Sequence, residues 1–435
     1  MRSDPLQRVV LHGAAFSVFV RVVGLALSYA ANILLSRLLG LQVYGQYVIA
    51  LSWALVLALP AKAGFDNSAL RYASVYLERG DSAKLRGFVR FAAATVIVTS
   101  VGIVAVILVA GPRLIPADWQ TRLWAALLVP VLALLSVLSV VLRTARKIIA
   151  AQFYEQVLRP TLVIVGLTAA YFTGTRLMAS SAMTVTTIAG AVALIALVVQ
   201  LGGVLRSDVS ARPGYDDWRQ WLVVSVPMLL IGVVQEVMNQ VDIILLGQLA
   251  DARQAALFAA SWRLASLVPF ALIGFAIMAG PMIAAAHERG AINEMHRLSR
   301  LVARASFAFA LVGALILYAF GKPLLGLFGP EFAAAHDVLS VLLLGGIVNA
   351  FTGVVAYFML LTGHERQALR IFVGALVLSV TLNLILIPRM GALGAAIASS
   401  SALAAWNLAM WIYVRRAIGI DASALAKRPT AGIQI

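Results

Sequence analysis

The sequence predicts an all-α integral membrane protein of twelve transmembrane helices, arranged as two parallel repeats of six. Three observations support this prediction. The 435 residues are 62% hydrophobic and only 12% charged, whereas a soluble domain carries about 25% charged residues. Apolar stretches of about 20 residues, enough to cross the hydrocarbon core as helices, recur along the whole chain. Short strings of the first half also reappear about 210 residues later.

The duplication rests on three pairs of strings in nearly one register. In membrane proteins such internal repeats are typical of secondary transporters, whose substrate site lies between the halves. The first pair is separated by 209 residues and the other two by 210. The earlier strings are Ser52-Trp53 with Pro60, Gly64-Phe65 and Glu78-Arg79-Gly80, and the later ones are Ser261-Trp262 with Pro269, Gly274-Phe275 and Glu288-Arg289-Gly290.

Twelve spans follow from apolar length and from the Gly and Pro turn signals that separate them. A division after the sixth span predicts an N-terminal lobe over 1–206, a C-terminal lobe over 207–418 and a cytoplasmic tail over 419–435. Because six is even, both halves enter from the same side and are related by an axis along the membrane normal. The predicted spans are 12–37, 43–62, 86–111, 119–143, 150–173, 182–205, 219–247, 254–280, 300–320, 333–362, 367–387 and 391–414.

The distribution of basic residues predicts the orientation. Of the 34 lysines and arginines, 24 fall in the even-numbered loops and the termini, and seven fall in the odd-numbered loops. The positive-inside rule therefore places both termini in the cytoplasm. The charges are spread over seven separate places, so they exclude a nucleic-acid partner, which needs one basic stripe. Two amphipathic connections, Leu70–Arg79 and Ile283–Arg300, are interpreted as short interfacial helices that either anchor the chain or gate it.

Several chemistries are excluded by the residues present. The chain has no cysteine, and its five histidines lack metal-ligand spacing. A Walker A motif and a G-x-S-x-G elbow are both absent, and the few acidic residues are dispersed. We therefore expect no catalytic residue, no metal site and no cofactor, apart from Na⁺ or H⁺ as a coupling ion.

A polar stripe on span 1 is the first candidate site. Arg21 lies about nine residues into this span, too deep to reach the membrane surface easily. Its neighbours at helical spacing are Ser17 on one side and Gly24, Ser28 and Asn32 on the other, and all lie on the same face. Such a polar and small face predicts a cavity-lining helix that binds substrate. The alternative is a structural arginine paired with a carboxylate of the bundle.

A second arginine, Arg263, lies at a similar depth in span 8, with Ser266 one turn further on. Its counterpart in the first half is Ala54, so the duplicated pattern is broken here, which favours a functional role over packing. A third arginine, Arg159, follows Glu155 by four residues. This spacing favours a structural ion pair between these two side chains.

Span 7 carries the acidic candidates. Glu236, Asn239 and Gln240 share one face, which we expect to look into the same cleft as span 1. Glu236 is either a counter-ion for Arg21 or Arg263 or a binding site for a proton or Na⁺. Asp242 lies nearer the periplasmic end, where it either couples transport to an ion or is simply hydrated.

Two cationic groups in a central cleft favour an anionic solute, since guanidinium binds carboxylate or phosphate with charge-assisted hydrogen bonds. A polar lumen that opens to both leaflets also suits an amphiphile whose head group crosses while its tail stays in lipid. Export of an anion from a negative interior is favoured by about 2.3 kcal/mol per charge per 100 mV. The membrane potential therefore helps to drive transport without a nucleotide.

A motif at the end of span 1 carries a family resemblance. The pattern L-x-x-x-L-G-x-x-x-Y-G, and Leu361-Thr362-Gly363-His364-Glu365 after span 10, resemble the polysaccharide-repeat-unit flippases. These belong to the multidrug/oligosaccharidyl-lipid/polysaccharide exporter (MOP) superfamily, and the similarity extends from Arg8 to Arg416. The residues of the first motif are Leu35, Leu39, Gly40, Tyr44 and Gly45.

The resemblance implies a V-shaped, MATE-like transporter of the bacterial inner membrane. Its substrate would be undecaprenyl-pyrophosphate-linked oligosaccharide, moved from the cytoplasmic to the periplasmic leaflet. Membrane lipid would be a further partner. Related peptidoglycan-precursor flippases have essential arginines in spans 1 and 8, where this chain has Arg21 and Arg263. Those relatives often carry two extra C-terminal spans, so their absence here favours O-antigen units of lipopolysaccharide biosynthesis or exopolysaccharide units. A glycan polymerase and a chain-length regulator are the implied protein partners.

Two other functions stay open at this stage. The first is a cation-coupled multidrug exporter of the same superfamily. Arg21 and Arg263 argue against it, whereas Glu236 and Asp242 leave room for it. The second is a non-transporting scaffold for glycan assembly, in which the arginines within the membrane would be dispensable.

Overall fold

The computed structural model describes residues 5–174, 177–205, 213–269, 291–353 and 355–417, with a few positions between 282 and 289 and between 419 and 426. Over these residues the chain forms helices and turns and no strand, which confirms the all-α prediction. Nine of the described helices are long and apolar enough to cross a membrane. The count of twelve spans stays a prediction.

The chain forms two compact units, Met1–Gln240 and Val241–Ile435. The boundary between them falls within one long helix, about 34 residues after the predicted lobe boundary at 206. The start of this helix packs into the first unit, as described below, which explains the later boundary. The predicted lobes stay a prediction.

The helices of the first unit follow the predicted spans closely. The first two spans form one helical segment, α1, in which Gly40 alone is non-helical (φ 72°, ψ 170°). Only glycine adopts this conformation readily, so the chain bends there without a loop. The helices are α1 (Pro5–Lys62), α2 (Phe65–Glu78), α3 (Ser82–Leu114), α4 (Trp119–Thr144), α5 (Ile148–Gln152), a π-helical segment (Phe153–Leu158), α6 (Arg159–Phe172), α7 (Ala179–Leu205) and α8 (Trp218–Leu249).

The second unit departs from prediction at span 8. The predicted span 254–280 is helical only to Ala265, where turns follow, and its residues after 269 lie outside the described residues. Predicted span 10 is divided at Gly353 into two helices. The helices are α9 (Ala252–Ala265), α10 (Ile292–Ala319), α11 (Gly321–Gly326), a 3₁₀ segment (Pro330–Ala335), α12 (His336–Thr352), α13 (Val355–Leu361), α14 (Glu365–Met390) and α15 (Ala392–Ala417).

Three helices begin at an aspartate that caps their free backbone N–H groups. The side chain of Asp81 accepts a hydrogen bond from the backbone N–H of Lys84 at 2.9 Å. Asp118 accepts from Thr121 at 3.1 Å, and Asp251 accepts from Gln254 at 2.8 Å. Each cap is worth about 1 kcal/mol, so the sequence itself fixes where α3, α4 and α9 start.

The first amphipathic connection is helix α2, whose apolar face is buried in the first unit. Tyr72 packs against Tyr76 and against Phe88 of α3, and Phe88 packs edge-on against Trp221 of α8. The Trp221 indole donates to the Tyr76 hydroxyl at 2.9 Å. Burial raises the pKa of both tyrosines, so they remain neutral hydrogen-bonding groups. In the second predicted connection, Ile283–Arg300, residues 292–300 form the start of α10, and most of the residues before 291 lie outside the described residues.

Two glycines let the chain before and within α8 lie directly against α2 and α3. A methyl group added to Gly64 would lie 2.0 Å from the Ser225 carbonyl oxygen, and one added to Gly87 would lie 1.8 Å from that of Gly214. The Gly214 N–H also donates to the Ala83 carbonyl at 3.0 Å. The beginning of the second predicted half is therefore held by the first unit.

An ion pair in the same region makes stability depend on pH. The ammonium group of Lys84 lies 2.8 Å from the Asp217 carboxylate, and this hydrogen bond lowers the pKa of Asp217 below its ordinary value of 3.8. Because the pKa of Asp217 is lower in the folded than in the unfolded protein, the ion pair stabilises the fold at pH values above the unfolded pKa. This stabilisation is lost as the pH falls through the folded pKa. We expect the unfolding temperature to decrease as the pH is lowered below about 4. The Asp217→Asn variant should show a smaller decrease over the same pH range. An equally steep decline in the Asp217→Asn variant would contradict the assignment.

The chain after α15 folds back onto the second unit. Arg304 of α10 donates to the carbonyl oxygens of Ala424 and Ala426, each at 3.1 Å, and the Ala424 N–H donates to the Phe351 carbonyl at 2.9 Å. Burial acts to raise the pKa of Asp421, but hydrogen bonds from Trp411 and Ser423 lower it on balance. The described part of the predicted tail is therefore docked onto the helices.

Candidate functional site

Some residues of the polar stripe on span 1 pack against other helices, and others are exposed. The Ser17 hydroxyl donates to the side-chain oxygen of Gln152 at 2.7 Å, and a methyl group on Gly24 would lie 2.6 Å from the Gln156 carbonyl oxygen. Among the described residues, the Arg21 side chain is exposed and has no hydrogen-bond or ion-pair partner. The alternative of a structural ion pair thus finds no support there.

The other two members of the stripe bond locally. The Asn32 side chain donates to the Ser28 carbonyl at 2.7 Å and accepts from the Tyr44 hydroxyl at 3.4 Å. Tyr44 belongs to the motif after span 1 and is fully buried. Part of that motif therefore holds the two segments of α1 together.

Proline explains why the segment facing Gly24 is irregular. Pro160 has no N–H, so the Gln156 carbonyl loses its usual helical donor. The chain is π-helical from Phe153 to Leu158, immediately before this proline. π-Helical turns inside α-helices are frequent at functional sites because they re-aim side chains. Here the turn carries Glu155 and leads directly into Arg159.

The predicted ion pair between Glu155 and Arg159 is wrong. Glu155 is instead bound by Arg143 of α4, at 2.8 Å between guanidinium nitrogen and carboxylate oxygen, and by the Ser139 hydroxyl. A partner on a neighbouring helix thus displaces the partner four residues along the chain. Arg159 forms neither a hydrogen bond nor a direct ion pair with a described residue, and Glu155 attracts it only from beyond ion-pair distance.

The Arg159 side chain lines a cavity of about 190 Å³ within the first unit. Its charged lining residues are Lys62, Glu155, Arg159 and Glu236. One apolar wall comes from α1 at helical spacing, and the other comes from α4. The remaining lining residues are Leu55, Ala58, Leu59, Leu132, Leu135 and Ser136.

Glu236 therefore shares a cavity with Arg159 and Lys62, two cations not predicted to lie near it. It also accepts a hydrogen bond from the side chain of Gln240 at 3.1 Å, which confirms that these two residues share a face. Asn239 is exposed.

Arg263 lies half-buried in the last turn of α9. The Ser266 hydroxyl donates to the Arg263 carbonyl at 2.6 Å, so Ser266 binds the end of the helix. Arg21 and Arg263 belong to different compact units. Their joint role in binding substrate stays a prediction.

Asp242 is the centre of a buried polar cluster in the second unit. Its side chain is only 2% exposed, so the interpretation that it is simply hydrated is wrong. The Asn383 amide of α14 donates to one carboxylate oxygen at 2.7 Å, and the Ser399 hydroxyl of α15 donates to the other. No ion pair to Asp242 forms within the described residues.

The cluster also contains an acceptor without a donor. The side-chain oxygen of Asn383 is fully buried and has no hydrogen-bond partner among the described residues. A carboxylate without a cation and an amide oxygen without a donor lie together, and such oxygen atoms are ligands for hard cations. No group of three or more His, Asp or Glu residues capable of holding a metal occurs in the part of the chain that the structure describes.

Sequence reasoning missed Lys62, Arg143, Asn383 and Ser399 as partners of the acidic groups. Asn383 alone offered a signal, since it is a polar residue in the middle of an apolar span. The others lie at span ends or are serines, which are common in membrane helices.

Two family models match the chain. A model described as polysaccharide biosynthesis protein matches residues 10–287, and a model described as MatE matches residues 227–385. No curated protein matches the sequence. The first model covers well over half of the chain, including the whole first unit from residue 10 onwards.

Solved transporter structures share the fold. An inward-facing MATE multidrug resistance transporter of the MOP superfamily is 15% identical, with a TM-score of 0.77 over 92% of this chain and 98% of that one. The lipid II flippase MurJ, in an inward closed conformation, is 14% identical, with a TM-score of 0.71 over 92% of this chain and 87% of that one. A MOP superfamily transporter from Pyrococcus furiosus is 16% identical, with a TM-score of 0.64 over 93% of this chain and 95% of that one. The chain therefore has the fold of these membrane transporters, and it belongs to the polysaccharide biosynthesis protein family.

Proposed function

We propose that this chain translocates undecaprenyl-pyrophosphate-linked oligosaccharide repeat units from the cytoplasmic to the periplasmic leaflet by alternating access. The observation that carries the proposal is the family match over residues 10–287. The buried and accessible charges of the spans fit this substrate class, because a diphosphate head group needs cationic partners within the membrane. The units are those of O-antigen or exopolysaccharide, and the protein lies in the bacterial inner membrane with both termini in the cytoplasm.

Arg21 and Arg263 bind the anionic head group in this proposal. The exposed Arg21 side chain has its guanidinium donors available, and these bind phosphate oxygens two at a time. Ser17, Ser28, Asn32, Asn239 and Ser266 complete the substrate-binding set. The polymerase and chain-length regulator that take up the flipped units are its protein partners.

Replacing either arginine by alanine is expected to lower the amount of polysaccharide at the cell surface by about tenfold or more, because a lost charge-assisted hydrogen bond costs about 1.5–3 kcal/mol. Lysine at either position should restore part of the display, since it keeps the charge but not the paired donors. The measurement is surface polymer in a strain that lacks the chromosomal copy. Arg90→Ala is a matched control, because Arg90 is an exposed arginine of α3 with no hydrogen-bond or ion-pair partner among the described residues. Normal display with both alanine variants, at normal protein levels, would discard this site.

Asp242 couples transport to Na⁺ or H⁺ in the same proposal. Its carboxylate lies with the Asn383 and Ser399 side chains inside the second unit, without a basic counter-ion among the described residues. Binding of Na⁺ or a proton would neutralise the charge that burial makes costly.

A cation-coupled multidrug exporter is the second candidate function. The MatE model match over residues 227–385 includes Asp242 and favours it. Such an exporter should reduce the accumulation of a cationic dye when the chain is expressed in an exporter-deficient host. Dye efflux without any effect on surface polysaccharide would replace the flippase proposal.

A further inference from the structure

The cavity of the first unit suggests a more detailed view of substrate recognition. We propose that this cavity binds the junction between the diphosphate and the first sugar, with Arg159 contacting phosphate oxygens and Glu236 accepting hydrogen bonds from sugar hydroxyls. The inference rests on the proposed function, because it takes the lipid-linked oligosaccharide as substrate. It adds a binding site made by α1, α4, α6 and α8 to the arginines of spans 1 and 8.

The pairing of charges around the cavity points to a ligand. Arg143 neutralises Glu155, with 2.8 Å between nitrogen and oxygen. Lys62 lies 3.6 Å from Asp66, one turn further along the chain. Two of the lining charges, the cation of Arg159 and the anion of Glu236, therefore have no ion-pair partner among the described residues.

The walls of the cavity make these two charges costly to leave unbound. Leu55, Leu59, Leu132 and Leu135 surround them with apolar surface. A charge in such surroundings needs hydrogen bonds to compensate for its lost hydration. The occupant that satisfies both groups must offer acceptors to a guanidinium and donors to a carboxylate. A phosphate joined to a hydroxyl-rich ring does so, whereas an organic cation would satisfy only Glu236.

The size of the cavity limits what enters it. A volume of about 190 Å³ is smaller than the 300–1,000 Å³ of sites that enclose drug-sized ligands. It suits the charged junction of the substrate and excludes a whole oligosaccharide or a prenyl chain. The rest of the glycan and the lipid must then lie outside this cavity.

Lys62 is placed to assist with the second phosphate. It lines the same cavity, and its 3.6 Å separation from Asp66 is longer than a direct hydrogen bond. Its ammonium group therefore keeps donors for a ligand. Arg159 and Lys62 together supply two cations for a diphosphate, and Glu236 supplies the acceptor that recognises the sugar.

Binding measurements on the full-length purified protein test this arrangement. The probes are farnesyl diphosphate and the same compound carrying one hexose on its terminal phosphate. Arg159→Ala should weaken binding of both probes by about tenfold or more, and Arg159→Lys should weaken it less. Glu236→Gln should weaken only the hexose-bearing probe, while removal of a negative charge should leave the other probe unchanged or bound more tightly. Arg90→Ala should change neither affinity.

Thermal unfolding separates ligand binding from a structural role. Removing an unpaired charge from an apolar cavity should not lower the unfolding temperature of Arg159→Ala. If that variant is nevertheless poorly folded, Arg159→Gln serves in its place and should give the same loss of affinity.

The outcomes distinguish the inference from the function on which it rests. If the wild type binds the hexose-bearing probe and Arg159→Ala and Arg159→Gln bind it equally well, the cavity site is wrong and the flippase proposal stands. A Glu236→Gln variant that weakens both probes alike would also overturn the assignment of the sugar to Glu236. If the wild type binds neither probe, the proposed function fails together with the inference.

Discussion

Replacing Gly64 by alanine is expected to abolish accumulation of the folded protein, whereas the same change at Gly80 should be tolerated. Both glycines have positive φ angles, 78° and 66°, so both alanines carry the backbone strain of about 1–2 kcal/mol. Only at Gly64 would the new methyl group also meet a backbone carbonyl, that of Ser225 at 2.0 Å, while Gly80 faces open space. Moving a backbone segment apart costs at least a further 1–3 kcal/mol, about what overpacking usually costs.

The comparison is made by the yield of monodisperse protein in detergent and by its unfolding temperature. Gly80→Ala isolates the contribution of the backbone angle, so the difference between the two variants reports the contact with α8. Equal yields and equal unfolding temperatures would show that the first unit does not hold the start of α8 in the way described here.

The second large effect concerns ion coupling. Asp242→Asn is expected to abolish the dependence of transport on a Na⁺ or proton gradient, because it removes the charge that the ion neutralises while keeping the shape of the side chain. The Asn383 amide N–H, which donates to the Asp242 carboxylate at 2.7 Å in the wild type, then faces a neutral amide instead. We expect at least a tenfold drop in gradient-driven transport, since losing one hydrogen bond to a charged group costs about 1.5–3 kcal/mol.

Transport of the hexose-bearing prenyl diphosphate into proteoliposomes, with imposed Na⁺ or pH gradients, provides the measurement. Asp251→Asn is the matched control in the same unit, because Asp251 is exposed and caps α9, and asparagine caps a helix about as well as aspartate. A gradient that stimulates the Asp242→Asn variant as strongly as the wild type would exclude Asp242 as the coupling site.

The sequence was sufficient for most helices because apolar length and turn signals act locally. The predicted spans 86–111 and 119–143 appear as Ser82–Leu114 and Trp119–Thr144, and aspartate caps define the starts of both helices. The bend at Gly40 falls between the predicted spans 12–37 and 43–62. The early end of α9 at Ala265 could not, because the apolar run continues through Pro269 without a clear break.

The candidate site was less predictable, because its contacts join different helices. The spacing of Glu155 and Arg159 is ideal for a local pair, yet Arg143 and Ser139 of α4 take the carboxylate. Arg159 is consequently left to line the cavity, which no single-helix pattern could suggest. Asp242 is a candidate from sequence, but its burial involves Asn383 of α14 and Ser399 of α15, which lie 141 and 157 residues further along the chain.

The docked chain end has a practical consequence for handling the protein. Arg304 is held by the carbonyl oxygens of Ala424 and Ala426, and these are main-chain atoms whose position depends on the path of the backbone rather than on side-chain identity. A reporter or purification tag appended after Ile435 leaves these bonds intact. A tag that replaces the residues after Arg416 instead strips the guanidinium of both acceptors, so shortened forms of the protein are poor substitutes for the full chain in transport measurements.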